Sequence, residues 1–140
     1  MRRVVCASPA YLAARGVPQI PADLSRHDAI AFSSSAAQPE WPFVSGGKAM
    51  TIRPSAQLIA NTAEVAVAAA VAGRGVTRVL AYQIAPELSS GQLRIVLPDF
   101  ERPPLPIHVV HLEGRRAVAR VRAFIDFAVD RLRADPRLQG

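Results

Sequence analysis

The sequence is poor in the side chains that cross-link, chelate or attack. Cys6 is the one cysteine in 140 residues. An internal disulfide is therefore excluded, and a reducing, cytoplasmic setting is expected. Cys6 lies in an apolar stretch, which suits a core thiol better than a nucleophile. His27, His108 and His111 are the three histidines. His108 and His111 fall in a segment that reads as a strand, where a spacing of three puts them on opposite faces, so they cannot share one ion. His27 stands beside Asp28 and reads as half of a local hydrogen bond, not of a dyad. No Gly-x-Ser-x-Gly elbow, P-loop or Gly-x-Gly-x-x-Gly occurs. Gly73-Arg74-Gly75 is too short for a dinucleotide signature and fits a helix stop. Asp126 and Asp130 stand one helical turn apart on a polar face, and no paired-carboxylate site stands out. An enzyme is therefore not expected, nor is a metal or a cofactor.

Long apolar runs are also missing. The longest, residues 65–72, is far too short to span a bilayer. After Met1, Arg2 and Arg3, the residues Ser8, Pro9 and Arg15 interrupt any secretory apolar region. No membrane partner is expected. Lysine is nearly absent: Lys48 is the only one, so arginine supplies 16 of the 17 basic residues behind a net charge of +6. A basic balance invites a nucleic-acid reading. The arginines are spread along the chain, however, and several fall at helix spacings where water solvates them. An Arg-rich nucleic-acid-binding module stays as an alternative.

Half of the residues are apolar. A chain of this size buries about 70% of its unfolded surface, enough for one core without disulfides. Strands are expected at 3–7, 29–32, 41–44, 49–53, 57–60, 76–80, 93–97 and 107–112. Ser8-Pro9 starts a helix that stops at Gly16. A short turn of helix is expected over 22–25, and Gly46-Gly47 turns a hairpin. Residues 33–40 read as a loop. Asn61 reads as an N-cap with Glu64 three residues on, and Gly73 closes the helix. That helix is apolar all round between 65 and 72, which predicts burial on several sides. Pro86 interrupts any long helix over 81–90. Residues 98–106 hold four prolines and read as a stiff connector. The longest helix is expected over 115–133, with Val118, Val121, Ile125, Ala128 and Leu132 as one apolar stripe and Phe124 beside it. Strands alternating with helices imply an α/β fold with a largely parallel sheet.

What remains is binding. Helix N-termini expose free N–H groups and partial positive charge, so those at Ser8 and Asn61 suit an anionic or carboxylate ligand. In open α/β sheets ligands sit outside the carboxyl ends of the strands, and Asn61 follows a strand. The alternative, that Asn61 only caps its own helix, stays open on these residues.

The ordered motifs resemble the effector-binding domain of LysR-type transcription regulators. They are Cys6-Ala7-Ser8-Pro9-Ala10-Tyr11-Leu12, Gly16-Val17-Pro18, Pro21-Ala22-Asp23-Leu24, Trp41-Pro42-Phe43, and Asn61 with its alanine-rich helix. Ala72-Gly73-Arg74-Gly75-Val76, Tyr82-Gln83-Ile84-Ala85-Pro86-Glu87-Leu88, Ser90-Gly91-Gln92-Leu93, Val96-Leu97 and residues 121–127 continue the series. The resemblance covers residues 4–132. Ala81 departs from it, standing where many relatives have proline.

The resemblance implies a type 2 periplasmic-binding-protein-like α/β fold, with a mixed, mostly parallel sheet flanked by helices and a partial second lobe. Residues 1–101 would form the family's second lobe. Residues 102–140 would hold the return crossing strand and the C-terminal helix of an incomplete first lobe. A small-molecule effector would lie in the interlobe cleft, against Phe32, Ser33, Asn61, Val76 and Thr77. DNA would be reached only through a winged helix-turn-helix domain that these residues do not contain. The last helix would expose its apolar stripe, so a homodimer or higher oligomer is expected. A solute-binding protein fragment of the same fold is the other alternative.

Overall fold

A computed structural model describes residues 1–32, 39–110, 118–136 and 138. The β-branched, apolar run Val4-Val5-Cys6 forms β1 (Arg3–Ala7) at the heart of the sheet. Ser8 caps α1 (Pro9–Arg15): its hydroxyl accepts from the Tyr11 N–H, Pro9 opens the first turn, and the helix stops at Gly16 with φ 87°. A 3-10 turn, Pro21–Arg26, leads into β2 (Ala29–Phe32). Next come β3 (Trp41–Ser45) and β4 (Lys48–Ile52), an antiparallel hairpin turned by Gly46 and Gly47. Both glycines have positive φ, as the tight turn requires. Then follow β5 (Ala56–Ala60), α2 (Ala63–Val71) and β6 (Val76–Leu80). Pro86 does break the next segment, into a 3-10 turn Ala81–Ile84 and α3 (Ala85–Ser89). β7 (Arg94–Val96) completes the sheet. Leu97 turns the chain out of it at φ 58°, into the 3-10 turn Pro98–Phe100.

The five-stranded sheet has the order β5-β2-β6-β1-β7. β2 pairs in parallel with both β5 and β6, while β1 runs antiparallel to β6 and β7. Four of the five strands thus point one way, and β1 alone opposes them. Alternation along β1 splits the core into two. Val5 and Ala7 face Tyr11, Leu12, Leu24, Trp41 and Phe43, that is, α1, the first 3-10 turn and the hairpin. Val4 and Cys6 face Ala66, Val67 and Ala70 of α2 and Ile84. The sheet is therefore covered on both sides, as an α/β fold requires.

Three expectations need correction. α2 buries only the stripe Ala63, Ala66, Val67 and Ala70, and Val65 stays 50% exposed. Alanines and valines are small enough for one face to dock closely on the sheet, and among the described residues no further element buries the other. The N-cap of α2 is Thr62, whose Oγ1 accepts from the Val65 N–H at 3.4 Å, and not Asn61. The cause is register: Ala60 is still paired with Phe32, so the chain needs one more residue to turn. Residues 107–110 form no strand, and 111–112, with His111, lie outside the described residues. Among the described residues no strand lies alongside this β-branched run, so it has no ladder to join. The last helix is α4 (Ala119–Ala134), and no residue of it is buried. The expected start of that helix, 115–117, lies outside the described residues, as do 33–38 of the expected loop.

Candidate functional site

The parallel strands β5, β2 and β6 end together, and that carboxyl edge is where a ligand is expected. Phe32 closes β2 and pairs with Ala60, which closes β5. Asn61 follows Ala60 and is exposed, and Phe32 is 44% exposed. Two of the five expected site residues are therefore neighbours at one edge. Thr62 then turns the chain into α2, whose first N–H groups have no intrahelical partner and carry partial positive charge. Ser33 lies outside the described residues. Val76 and Thr77 open β6, opposite Ala29 and Ile30, so they stand at the other end of the strands. Both are fully buried. Thr77 Oγ1 donates to the Ile30 carbonyl at 3.0 Å, which commits its hydroxyl to holding β2, two residues before Phe32.

One turn beyond Asn61 a cavity of about 500 Å³ opens between α2 and the segment after β6, lined among others by Ala63, Glu64, Val67, Tyr82, Gln83 and Glu87. Gln83 is held in place by accepting from the Leu80 N–H at 2.9 Å. Glu87 keeps one buried carboxylate oxygen with no hydrogen-bond partner. Tyr82, Gln83 and Glu87 had carried only the family resemblance; nothing in their local spacing marks a pocket, because it forms between elements remote in sequence.

The side chains that suggested chemistry are occupied by structure. Cys6 is fully buried, and burial, with a smaller contribution from the charge of Glu87, pushes its thiol up to about 12. A thiol so placed is no nucleophile. His27 does not bond to Asp28. Its Nδ1 lies 3.2 Å from the Tyr11 hydroxyl, and that hydroxyl accepts from the Asp28 N–H at 2.9 Å. Burial, then the charge of Arg15, lowers the His27 pKa. His108 is exposed. Among the described residues no group of three or more His, Cys, Asp or Glu side chains is placed to hold a metal ion. Among them, too, no helix is long and apolar enough to cross a membrane. The arrangement offers a pocket and a helix N-terminus, features suited to binding, while Cys6 is taken up by burial and His27 by Tyr11.

Comparison with known proteins gives the same architecture. The family described as LysR substrate binding domain matches residues 1–133. The HTH-type transcriptional activator AaeR of Escherichia coli K12 is 29% identical over 133 residues, 93% of this chain and 42% of that protein. An HTH-type transcriptional repressor of Pseudomonas aeruginosa UCBPP-PA14 is 29% identical over 135 residues, 95% of this chain and 43% of that one. The chain thus spans less than half the length of these relatives. CrgA, a LysR-type transcriptional regulator from Neisseria meningitidis, superposes with a TM-score of 0.75 at 24% identity, covering 93% of this chain and 44% of that one. The regulatory domain of AphB from Vibrio vulnificus gives 0.72 at 24%, covering 93% and 64%. At that identity the two structures speak for the fold alone: an α/β fold with a mixed, mostly parallel sheet flanked by helices. The relatives are transcriptional regulators and not enzymes. On the family match over nearly its whole length, the chain belongs to the LysR substrate binding domain family.

Proposed function

We propose that this chain is the effector-sensing part of a LysR-type transcription regulator, and that it takes a small acidic ligand at the carboxyl edge of β2 and β5. The observation that carries the reading is the meeting of Phe32, Asn61 and the α2 N-terminus at that edge, in a chain of this family. An anion there gains from the helix N–H groups and dipole. Phe32 offers an apolar wall, and Ser33 would follow it into the cleft. Val76 and Thr77 serve from behind, by fixing β2 against β6. Residues 1–101 act as one lobe, and 102–140 as the return crossing and last helix of the other. In support, Met1 and Leu105 exchange two backbone hydrogen bonds, at 2.7 and 2.8 Å, as two adjacent crossing segments would. No described residue beyond Val96 joins the sheet.

Oligomerisation belongs to the same reading. Phe124 and Phe127 of α4 are 67% and 64% exposed, and such faces seek partners. The setting is cytoplasmic, and DNA is engaged through a winged helix-turn-helix domain elsewhere in the regulator. The test is calorimetric titration of small mono- and dicarboxylates into the chain and its Asn61→Asp variant. A new negative charge beside the helix terminus should weaken the acid at least about tenfold. Equal affinity in both proteins, or no acid bound at millimolar concentration, contradicts the reading.

A further inference from the structure

Arg78 pairs with Val5 on neighbouring strands and so shares the sheet face of Val5, Trp41 and Phe43, opposite the face that α2 covers. Phe32 stands on the α2 side, in line with Ile30. Arg78 is half-buried. Its guanidinium lies 6.0 Å from the centre of the Phe43 ring and donates to the Pro42 carbonyl at 3.3 Å. Burial lowers its pKa to about 10, and the charges of Arg3 and Arg102 push the same way, against the attraction of Glu101.

Among the described residues no carboxylate forms an ion pair with Arg78, and Glu101 acts on it only at longer range. Among the described residues the ion pairs are Arg2–Glu101, Arg15–Asp28 and Arg53–Glu40, and none includes Arg3, Arg78 or Arg102. Glu101, the acid of that neighbourhood, takes both of its oxygens to Arg2, at 2.8 Å each. A cavity of about 220 Å³ lies between the three guanidinium-bearing residues, walled also by Pro42, Pro103 and Leu105. Arg3 and Arg102 are exposed and border it, with Arg78 deeper. Like charges gathered around a part-buried space oppose one another. A guanidinium is also the side chain best shaped to grip carboxylate or phosphate oxygens.

We propose that the cavity between Arg3, Arg78 and Arg102 binds a small anion through its carboxylate or phosphate oxygens. Such an anion joins β1, β6 and the segment after the 3-10 turn Pro98–Phe100, so it fastens the 101–105 stretch onto the sheet. The site is separate from the Phe32 and Asn61 edge, because it faces the other side of the sheet.

The experiment is a thermal melt and calorimetric titration of the 140-residue chain with succinate and, separately, inorganic phosphate, at ionic strength matched with sodium chloride. At least one anion should raise the Tm saturably. Its affinity should fall about tenfold or more in Arg78→Met and in Arg102→Gln, and hold in Asn61→Asp. Arg102 is exposed, so its variant folds even where Arg78→Met does not. A response to succinate alone identifies a carboxylate, and to phosphate alone a phosphate. A Tm rise of equal size in the native chain and Arg102→Gln is a general salt effect and overturns the proposal, as does no rise with either anion. Loss of binding in Asn61→Asp but not in Arg102→Gln overturns it as well, while leaving the edge site standing.

Discussion

Gly75→Ala tests how the site edge is positioned. Gly75 leads into β6 at φ 152°, a conformation that side-chain-bearing residues rarely adopt, and a Cβ there would stand 2.1 Å from the Asp28 carbonyl oxygen. That oxygen also accepts from the Val76 N–H at 2.9 Å, the bond that starts the β2–β6 pairing. The atoms it meets are the Asp28 carbonyl and Cβ, with no flexible side-chain end to move aside, so the backbone leading into β2 must shift. Strained φ costs about 1–3 kcal/mol, and forcing extra volume into packed structure costs about 1–3 kcal/mol more. The expected loss is roughly 2–6 kcal/mol, on the order of 10–20 °C of Tm for a chain of this size. Gly91→Ala is the control: φ is 73°, but nothing lies within 4 Å of the new Cβ. Only the left-handed cost of about 1–2 kcal/mol applies there. Urea denaturation of both variants measures the difference. If Gly75→Ala is no less stable than Gly91→Ala, the close approach of β6 to Asp28 does not govern the register that holds Phe32.

Three more outcomes are expected. Tyr11→Phe removes the acceptor of the Asp28 N–H and the partner of His27, and should cost about 1–3 kcal/mol in urea denaturation; no loss would mean that water replaces the hydroxyl. His27 has a folded pKa below its unfolded value, so the unfolded chain binds the proton more readily. Stability should therefore fall as pH drops through the unfolded value, near about 6.5, and His27→Gln should flatten the Tm between pH 7 and 5; an unchanged slope would refute this. Cys6 should resist a thiol reagent at pH 8 in the native state and react at once in urea; rapid native labelling would contradict its burial.

Local chemistry carried much of this fold. Ser8-Pro9, Gly16, Gly46-Gly47 and Pro86 each mark a turn or helix end that residues two to four apart decide. What escaped depends on partners distant in the chain. Asn61 and Thr62 are both good caps, and the choice between them was made by the pairing of Ala60 with Phe32. Residues 107–110 have strand composition, but composition supplies no neighbouring strand. His27 sits next to Asp28 in sequence, yet its partner is Tyr11, sixteen residues earlier. Of the candidate site, Phe32 was legible as a strand end, and Asn61 as a residue of the turn into α2, one position before the cap. Thr77 was read as a lining residue, and the burial that engages its hydroxyl with Ile30 follows from the β2–β6 register. Arg78 gave no local signal at all, because its meaning comes from Phe43, Arg3 and Arg102.

The central claim is that an acid docks where β2 and β5 end. Backbone amide NMR of the Arg102→Gln chain, titrated with the tightest-binding carboxylate, tests it most directly, because the second anion cavity is then weakened. The account predicts saturable shifts concentrated at Phe32, Asn61, Thr62, Ala63 and Glu64. Shifts that leave those amides still and gather elsewhere on the chain would contradict it.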